Sequence, residues 1–173
     1  MRSATIVALL AAMLGAGAAA AQSTGAPPVE DRVLIRMTDG IDNAVDSKDW
    51  ARARSFFADE VRVDFSSLSG SPPATIRSDD LIKGWSQNLK SSKTSLHLRT
   101  NHDVAWAGEV ATVRSHGYAW NRMEGQGDPL WEVWGVYEHT FGRVGGAWKV
   151  TGFVFRMTHE RGNMWVRTHV PDR

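Results

Sequence analysis

The sequence contains no cysteine. This absence excludes disulfide bonds, thiolate catalysis and cysteine-ligated metal sites, and it leaves no residue for a lipid anchor at the N-terminus. An excess of charge of one sign is also lacking, because 20 basic residues stand against 19 acidic ones. A nearly neutral surface argues against nucleic acid as the main partner.

Several motifs of cofactor and metal chemistry are lacking too. No glycine-rich phosphate loop follows a predicted strand, and no histidine pair has the spacing of a known metal site. His97 and His102 are five residues apart on a predicted strand, which would place them on opposite faces. We therefore expect neither a metal nor a cofactor.

The chain has one long apolar run, from Ile6 to Ala21, and it follows the positive start at Arg2. It ends in Ala19-Ala20-Ala21, the small-residue pattern of a signal-peptidase site. A membrane anchor needs roughly 20 strongly apolar residues, whereas this run is short and rich in Ala and Gly. Residues 1–21 are therefore predicted to be a signal peptide cleaved after Ala21. We expect a periplasmic or secreted protein with no membrane association after cleavage.

The rest of the chain has the length of one domain. Residues 22–28 read as a flexible linker, residues 29–163 as the domain and residues 164–173 as a C-terminal tail. Helical spacing predicts helices from Val29 to about Ser47, over Lys48–Phe57 and from Ser78 to about Leu89. Alternating residues predict one strand at Val61–Phe65, and four long strands at Thr94–Trp106, Glu109–Met123, Pro129–Arg143 and Ala147–His159. Helices followed by a run of strands indicate an α+β fold.

Four ordered segments carry a family resemblance: Asp46-Ser47-Lys48-Asp49-Trp50, Val63-Asp64-Phe65, Ser95-Leu96-His97 and Trp148-Lys149-Val150-Thr151-Gly152. In this order and spacing they resemble the SnoaL-like branch of the NTF2-like (cystatin-like) superfamily, with the pattern nearest to scytalone dehydratase. The resemblance implies a cone, in which N-terminal helices pack on a strongly curved antiparallel β-sheet and enclose a pocket. The fold hosts dehydratases, isomerases and plain binding domains, so it does not determine the reaction.

The resemblance places the catalytic aspartate of the dehydratase at Asp46 and its first strand histidine at His97. An aspartate that accepts a hydrogen bond from an imidazole fixes its tautomer and leaves the other nitrogen to move protons. Two tyrosines that would hold a catalytic water are replaced by Val45 and Phe65. In the alternative interpretation, Asp46 is a surface residue or caps the next helix, and His97 is structural.

Aromatic and imidazole side chains alternate along the later strands and could line a pocket for a flat apolar ligand. The alternative is that this face is exposed or forms a dimer interface, and a β-bulge would exchange the two faces. The predicted substrate-binding residues are Phe65, His116, Tyr118, Trp120 and Tyr137.

These observations predict an exported domain that catalyses dehydration, isomerisation or hydration of a small hydrophobic or aromatic molecule. Asp46 and His97 would be the catalytic pair, and the enzyme would be a cofactor-independent lyase or isomerase. The alternative is a non-catalytic periplasmic domain that binds a small ligand. A module that assembles with a protein partner through its sheet is a third interpretation. A homodimer is expected in each case, because the bent sheet leaves apolar side chains such as Leu96 and Leu98 to cover.

Overall fold

The computed structural model describes residues 29–172. The predicted signal peptide, its cleavage site after Ala21 and the linker at residues 22–28 lie outside the described residues. The elements in chain order are α1 (Val29–Asp46), α2 (Trp50–Ser55), β1 (Phe57–Asp64), α3 (Ser66–Ser69), β2 (Ala74–Arg77), α4 (Ser78–Asn88), β3 (Thr94–Ala107), β4 (Val110–Arg122), β5 (Leu130–Val144), β6 (Ala147–Gly162) and α5 (Met164–Thr168).

Helix α1 is amphipathic and buries one face against the sheet, chiefly against β3. The side chains of Leu34, Ile41 and Ala44 on this face are almost completely inaccessible to solvent. After α1 the chain turns through Lys48, which has a positive φ of 59°. Helix α2 is then capped by Asp49, whose carboxylate accepts a hydrogen bond from the Arg52 backbone N–H at 3.0 Å. The residue that caps α2 is therefore Asp49, which leaves the Asp46 side chain available for other contacts.

The six strands form one open sheet in the order β2-β1-β6-β5-β4-β3. This arrangement of helices on a curved sheet confirms the predicted α+β cone. Four of the five strand pairs are antiparallel, but β1 and β6 run parallel. The prediction of a purely antiparallel sheet is corrected for this pair. The reason is topological: β1 and β6 are separated by residues 65–146, and so long a connection permits parallel pairing.

Other differences concern the first half of the domain and the tail. Phe57, expected at the end of a helix, instead begins β1, where its ring lies 5.9 Å from Trp85 and 6.3 Å from Phe153. Between β1 and α4 the structure adds the short helix α3 and the edge strand β2, neither of which was predicted, and the tail contains α5. Burial of Phe57 among aromatic rings outweighs its continuation of the helical pattern.

The core lies between the helices and the concave face of the sheet. Side chains alternate along β4, so Ala111, Val113 and Ala119 point into the core. None of the helices within residues 29–172 combines the length and the apolar character needed to cross a membrane. The strong curvature leaves part of the concave face unfilled, and this space is the cavity described next.

Candidate active site

A cavity of about 330 Å³ opens between helices α1 and α4 and the concave face of the sheet. Most of its wall is apolar and aromatic, with Val45, Phe65, Trp85, Trp131, Phe153 and Phe155 among the lining residues. The polar side chains on the wall include those of Asp42, His97, Arg99 and Tyr137. A mostly apolar cavity with a few convergent polar groups is typical of a small-molecule site.

Asp46, the last residue of α1, points towards β3 and accepts three hydrogen bonds. The Ser95 hydroxyl donates to Oδ1 at 2.7 Å, and the His97 backbone N–H donates to Oδ2 at 2.7 Å. His97 Nδ1 lies 2.8 Å from Oδ1. The side chains of Asp46 and His97 are 17% and 21% exposed, and of the two residues His97 lines the cavity.

The protonation states follow from these contacts. Burial acts to raise the pKa of Asp46, but the hydrogen bonds and the charge from His97, together with the Ser95 hydroxyl, outweigh burial and lower that pKa. An ionised carboxylate can only accept, so the proton shared with His97 belongs to Nδ1. Nε2 of the neutral ring is then unprotonated, and the contact with Asp46 is the only hydrogen bond of the His97 ring within residues 29–172. Nε2 is therefore the atom available for proton transfer.

A second pair of side chains, Asp42 and Arg99, connects α1 to β3 one turn of the helix before Asp46. Asp42 accepts hydrogen bonds from Arg99 Nε at 2.5 Å and from Arg99 Nη2 at 2.8 Å. The Arg99 side chain is 2% exposed and that of Asp42 is 9% exposed. Burial acts to lower the pKa of Arg99, yet the charge and hydrogen bonds of Asp42 raise it above its ordinary value. Arg99 therefore stays charged inside the protein.

Two of the predicted substrate-binding residues, Phe65 and Tyr137, do line the cavity. The Arg99 guanidinium lies over the Tyr137 ring, 3.1 Å from its centroid. Burial raises the pKa of Tyr137 to about 12, so its phenol remains neutral throughout the physiological range. Tyr137 therefore contributes a neutral aromatic wall next to a buried cation.

The other three predicted binding residues lie on the opposite face of the sheet. His116, Tyr118 and Trp120 point away from the cavity, because the residues of β4 that line it are Ala119 and Asn121. The expectation that these three side chains line the pocket is therefore wrong. The reason is that the curvature of the sheet makes the odd-numbered residues of β4 face inward, and sequence alternation does not reveal which face is concave.

The expectation that His97 and His102 face opposite sides of their strand is also wrong. A β-bulge between Thr100 and Asp103 shifts the register of β3, and Asn101 within it has a φ of 54°. The extra residue turns His102 towards α1, where Nε2 lies 3.1 Å from Asp39 Oδ1. Among residues 29–172, no group of three or more carboxylates and imidazoles is arranged to hold a metal ion.

Several residues of the site were not singled out by the sequence. They are Ser95, which donates to Asp46, Asp42, which binds Arg99, and the cavity residues Asn121 and Phe153. The sequence spacing could have identified Asp42, because it precedes Asp46 by one helical turn, just as Arg99 follows His97 by two strand positions. No sequence pattern identifies Asn121 and Phe153 as cavity residues, because their inward orientation depends on the curvature of the sheet.

Comparison with protein families and solved structures agrees with this architecture. The sequence profile of the SnoaL-like domain matches residues 28–154. Curated protein sequences give no match. The Kfla4162 protein from Kribbella flavida has a similar structure, with a TM-score of 0.74 and 22% identity over 80% of this chain and 98% of that one.

Two further similar structures have names that describe a reaction. A candidate scytalone dehydratase from Novosphingobium aromaticivorans gives a TM-score of 0.66 and 22% identity, over 77% of this chain and 87% of that one. A hexachlorocyclohexane dehydrochlorinase gives a TM-score of 0.61 and 16% identity, over 76% and 90% respectively. At these identities the similarity establishes a shared fold.

Proposed function

Because this chain belongs to the SnoaL-like domain family, we propose that it is a cofactor-independent enzyme that transfers protons on a small hydrophobic or aromatic molecule. The observation that carries the proposal is the 2.8 Å contact between Asp46 Oδ1 and His97 Nδ1 at the wall of an apolar cavity. Because Nδ1 is engaged by Asp46 and His97 lines the cavity, Nε2 is the nitrogen that we propose acts as the base.

His97 is the general base in this proposal and Asp46 is its positioning partner. Nε2 removes a proton from a carbon of the substrate, and the imidazolium that forms is stabilised by the ionised Asp46 carboxylate. Return of that proton to another carbon gives isomerisation, and its transfer to a departing hydroxyl gives dehydration. The Ser95 hydroxyl and the His97 backbone N–H hold the carboxylate in place, so the imidazole does not have to reorient during the reaction.

Two structural neighbours support chemistry of this kind. Their names, scytalone dehydratase and dehydrochlorinase, both denote the elimination of a small molecule. An elimination begins with removal of a proton, for which His97 is suitably placed. The aromatic side chains of Trp85, Trp131 and Phe153 on the cavity wall favour a flat apolar substrate.

A non-catalytic ligand-binding domain is the second candidate. The observation that favours it is the apolar character of Val45 and Phe65, which line the cavity at the two positions where the resemblance predicts tyrosines. Without those phenols the cavity has fewer groups to hold a water molecule near His97. If the domain only binds ligands, they should enter the cavity and be released without chemical change.

We further propose that the domain acts after export to the periplasm or the medium, on the strength of the apolar run that ends at Ala21. The convex face of the sheet carries exposed apolar and aromatic groups, including the half-exposed Leu98. Covering that face by a second copy would give the expected homodimer.

A chromogenic elimination tests the proposed activity without knowledge of the natural substrate. A nitro-substituted benzisoxazole loses a C–H proton to a base, its N–O bond breaks, and a coloured cyanophenolate is released. We expect the purified protein to accelerate this reaction and His97→Gln to lower the rate by about 10²-fold or more, the usual contribution of a general base.

His116→Gln is the matched control, because it removes a histidine from the exposed face of β4. Its rate should equal that of the wild type. If His97→Gln and His116→Gln eliminate the probe equally well, His97 is not the base and the ligand-binding interpretation takes its place.

A further inference from the structure

Arg99 has a hydrogen-bonding capacity that its salt bridge does not use. Asp42 accepts from Nε and Nη2, whereas no acceptor among residues 29–172 is placed to bond with Nη1. The Tyr137 phenol is close enough to raise the pKa of Arg99, but it does not have the geometry to accept from Nη1. Nη1 has almost no solvent-accessible surface, so it makes no hydrogen bond to water either. A buried N–H donor of a charged group is unfavourable without an acceptor, because it has lost its hydration and gained no replacement.

The position of Arg99 relates this donor to the proposed base. His97 and Arg99 are two residues apart on β3, share the inner face and both line the cavity. Two strand positions correspond to roughly 7 Å, a distance that a C–H group and the oxygen of the adjacent carbonyl can span with a hydrogen-bonding contact at each end. A ligand with its C–H group at His97 Nε2 could therefore have an oxygen atom near the guanidinium.

The surrounding residues keep the guanidinium in this place. Tyr137 supports it from one side, with the guanidinium 3.1 Å from the ring centroid. Gly117 lies opposite Arg99 on β4, and a Cβ atom there would be 2.9 Å from Arg99 Nη1 and 2.3 Å from the Tyr137 ring. Both side chains can converge over β4 only because residue 117 has no side chain.

We propose that Arg99 binds an oxygen atom of the substrate and stabilises the negative charge that develops on it during proton transfer. This inference rests on the proposed function, and it narrows the substrate class to flat apolar ketones. The buried Asp42–Arg99 pair is then an anion-stabilising device as well as a link between α1 and β3.

The electron flow in such a step is balanced without a further reactant. His97 Nε2 takes the proton from the carbon next to a carbonyl group, and the C–H electron pair forms a carbon–carbon double bond. The carbonyl π pair moves onto the oxygen, which accepts a hydrogen bond from Arg99. The imidazolium then returns the proton to another carbon of the conjugated system, and the oxygen regains its double bond.

The inference is tested with para-nitrophenolate and nitrobenzene, two ligands of similar shape of which only the first carries an oxyanion. Binding is followed by quenching of tryptophan fluorescence, to which Trp85 and Trp131 of the cavity wall contribute. We expect the wild type to bind para-nitrophenolate at least tenfold more tightly than nitrobenzene. Equal affinity for the two ligands would overturn the inference.

The matched variant is the double replacement Asp42→Leu with Arg99→Met, which removes both charges and leaves no unpaired ion. It should bind nitrobenzene as the wild type does and lose the preference for para-nitrophenolate. If it keeps the preference, Arg99 is not the oxyanion site. If it does not fold, nitrogen NMR of the wild-type arginine side chains decides: the Arg99 Nη1 signal must shift with para-nitrophenolate and stay in place with nitrobenzene.

One further variant separates this inference from the proposed function. His97→Gln removes the proposed base but leaves Arg99 in place, so its preference for para-nitrophenolate should persist. Loss of the preference in His97→Gln would assign oxyanion binding to His97 and contradict the role of Arg99. Failure of the elimination assay with an intact preference would refute the catalytic proposal alone.

Discussion

At the scale of single residues, the site is organised by how completely each buried polar group is paired. Asp46 has three donors and a lowered pKa, so it is held in one charge state and one orientation. His97 Nε2 and Arg99 Nη1, by contrast, have no partner within the described part of the chain. The fully paired group provides rigidity, and the two incompletely paired groups are the ones proposed to contact a substrate.

His139 is a buried residue outside the proposed chemistry, and it should make the protein sensitive to acid. It is fully buried, its ring stacks on Phe153 at 4.5 Å, and neither nitrogen has a hydrogen-bond partner within residues 29–172. Burial lowers the pKa of His139 from 6.5 to about 3, helped by the charge of Arg99 and of His102 and opposed by that of Asp42. The folded protein therefore keeps this imidazole neutral under mildly acidic conditions.

The direction of the effect follows from proton linkage. Below pH 6.5 the unfolded chain binds a proton at His139 and the folded chain does not. The free energy of unfolding should then fall with decreasing pH by about 1.4 kcal/mol per unit until the folded pKa is approached. His139→Phe should remove this contribution, so its unfolding curves in urea between pH 6.5 and 4 should depend less steeply on pH. The same slope in wild type and variant would contradict the assignment.

At the scale of elements, α1 and β3 form the unit that carries the site. Three carboxylates on one face of α1 meet three cationic or imidazole side chains of β3, in the pairs Asp46–His97, Asp42–Arg99 and Asp39–His102. The helix spacings of three and four residues match this strand because the β-bulge at Thr100–Asp103 restores the inward direction of His102. A shift of α1 along β3 would therefore break all three pairs together.

The packing of α1 on the following segment can be tested at its glycine. A Cβ atom at Gly40 would lie 2.8 Å from the Phe56 ring, so the ring must move if residue 40 becomes alanine. We expect Gly40→Ala to lower the free energy of unfolding by about 1–2 kcal/mol, because overpacking exceeds the gain in helix propensity.

Gly84→Ala in α4 is the control, since a Cβ atom there meets nothing within 4 Å. It should raise the free energy of unfolding by about 0.5–1 kcal/mol through helix propensity alone. Urea unfolding of both variants gives the comparison. A stabilised Gly40→Ala protein would show that Phe56 does not restrict the approach of α1.

Helices and strands could be predicted from the sequence where the residue pattern that specifies them is local. The end of α1 near Asp46 and the long strand through His97 could be predicted because their hydrophobic patterns are local and strong. The inward orientation of Ala119 and Asn121 could not be predicted, because it depends on which face of the six-stranded sheet becomes concave. The bulge in β3 was also hidden, since Asn101 tolerates a positive φ but does not require one.

At the scale of the whole molecule, the curved sheet separates two environments. The concave side holds the apolar cavity with His97 and Arg99, and the convex side carries aromatic and charged groups in contact with one another. On the convex side, for example, the Tyr118 hydroxyl donates to Glu132 at 2.6 Å and the Tyr118 ring lies 5.0 Å from Trp134. Both faces are rich in aromatic residues, which is why the sequence alone assigned His116, Tyr118 and Trp120 to the wrong one.

The central claim is that Asp46 and His97 act as one catalytic unit in this cavity. Its most direct test is a double-mutant cycle in the benzisoxazole elimination, with Asp46→Asn, His97→Gln and the double variant. Residues that act as a unit are strongly non-additive. Each single variant should therefore lose most of the catalysed rate, and the double variant should be no slower than His97→Gln. Losses that multiply in the double variant, or a wild-type rate in Asp46→Asn, would show that the two residues do not act together.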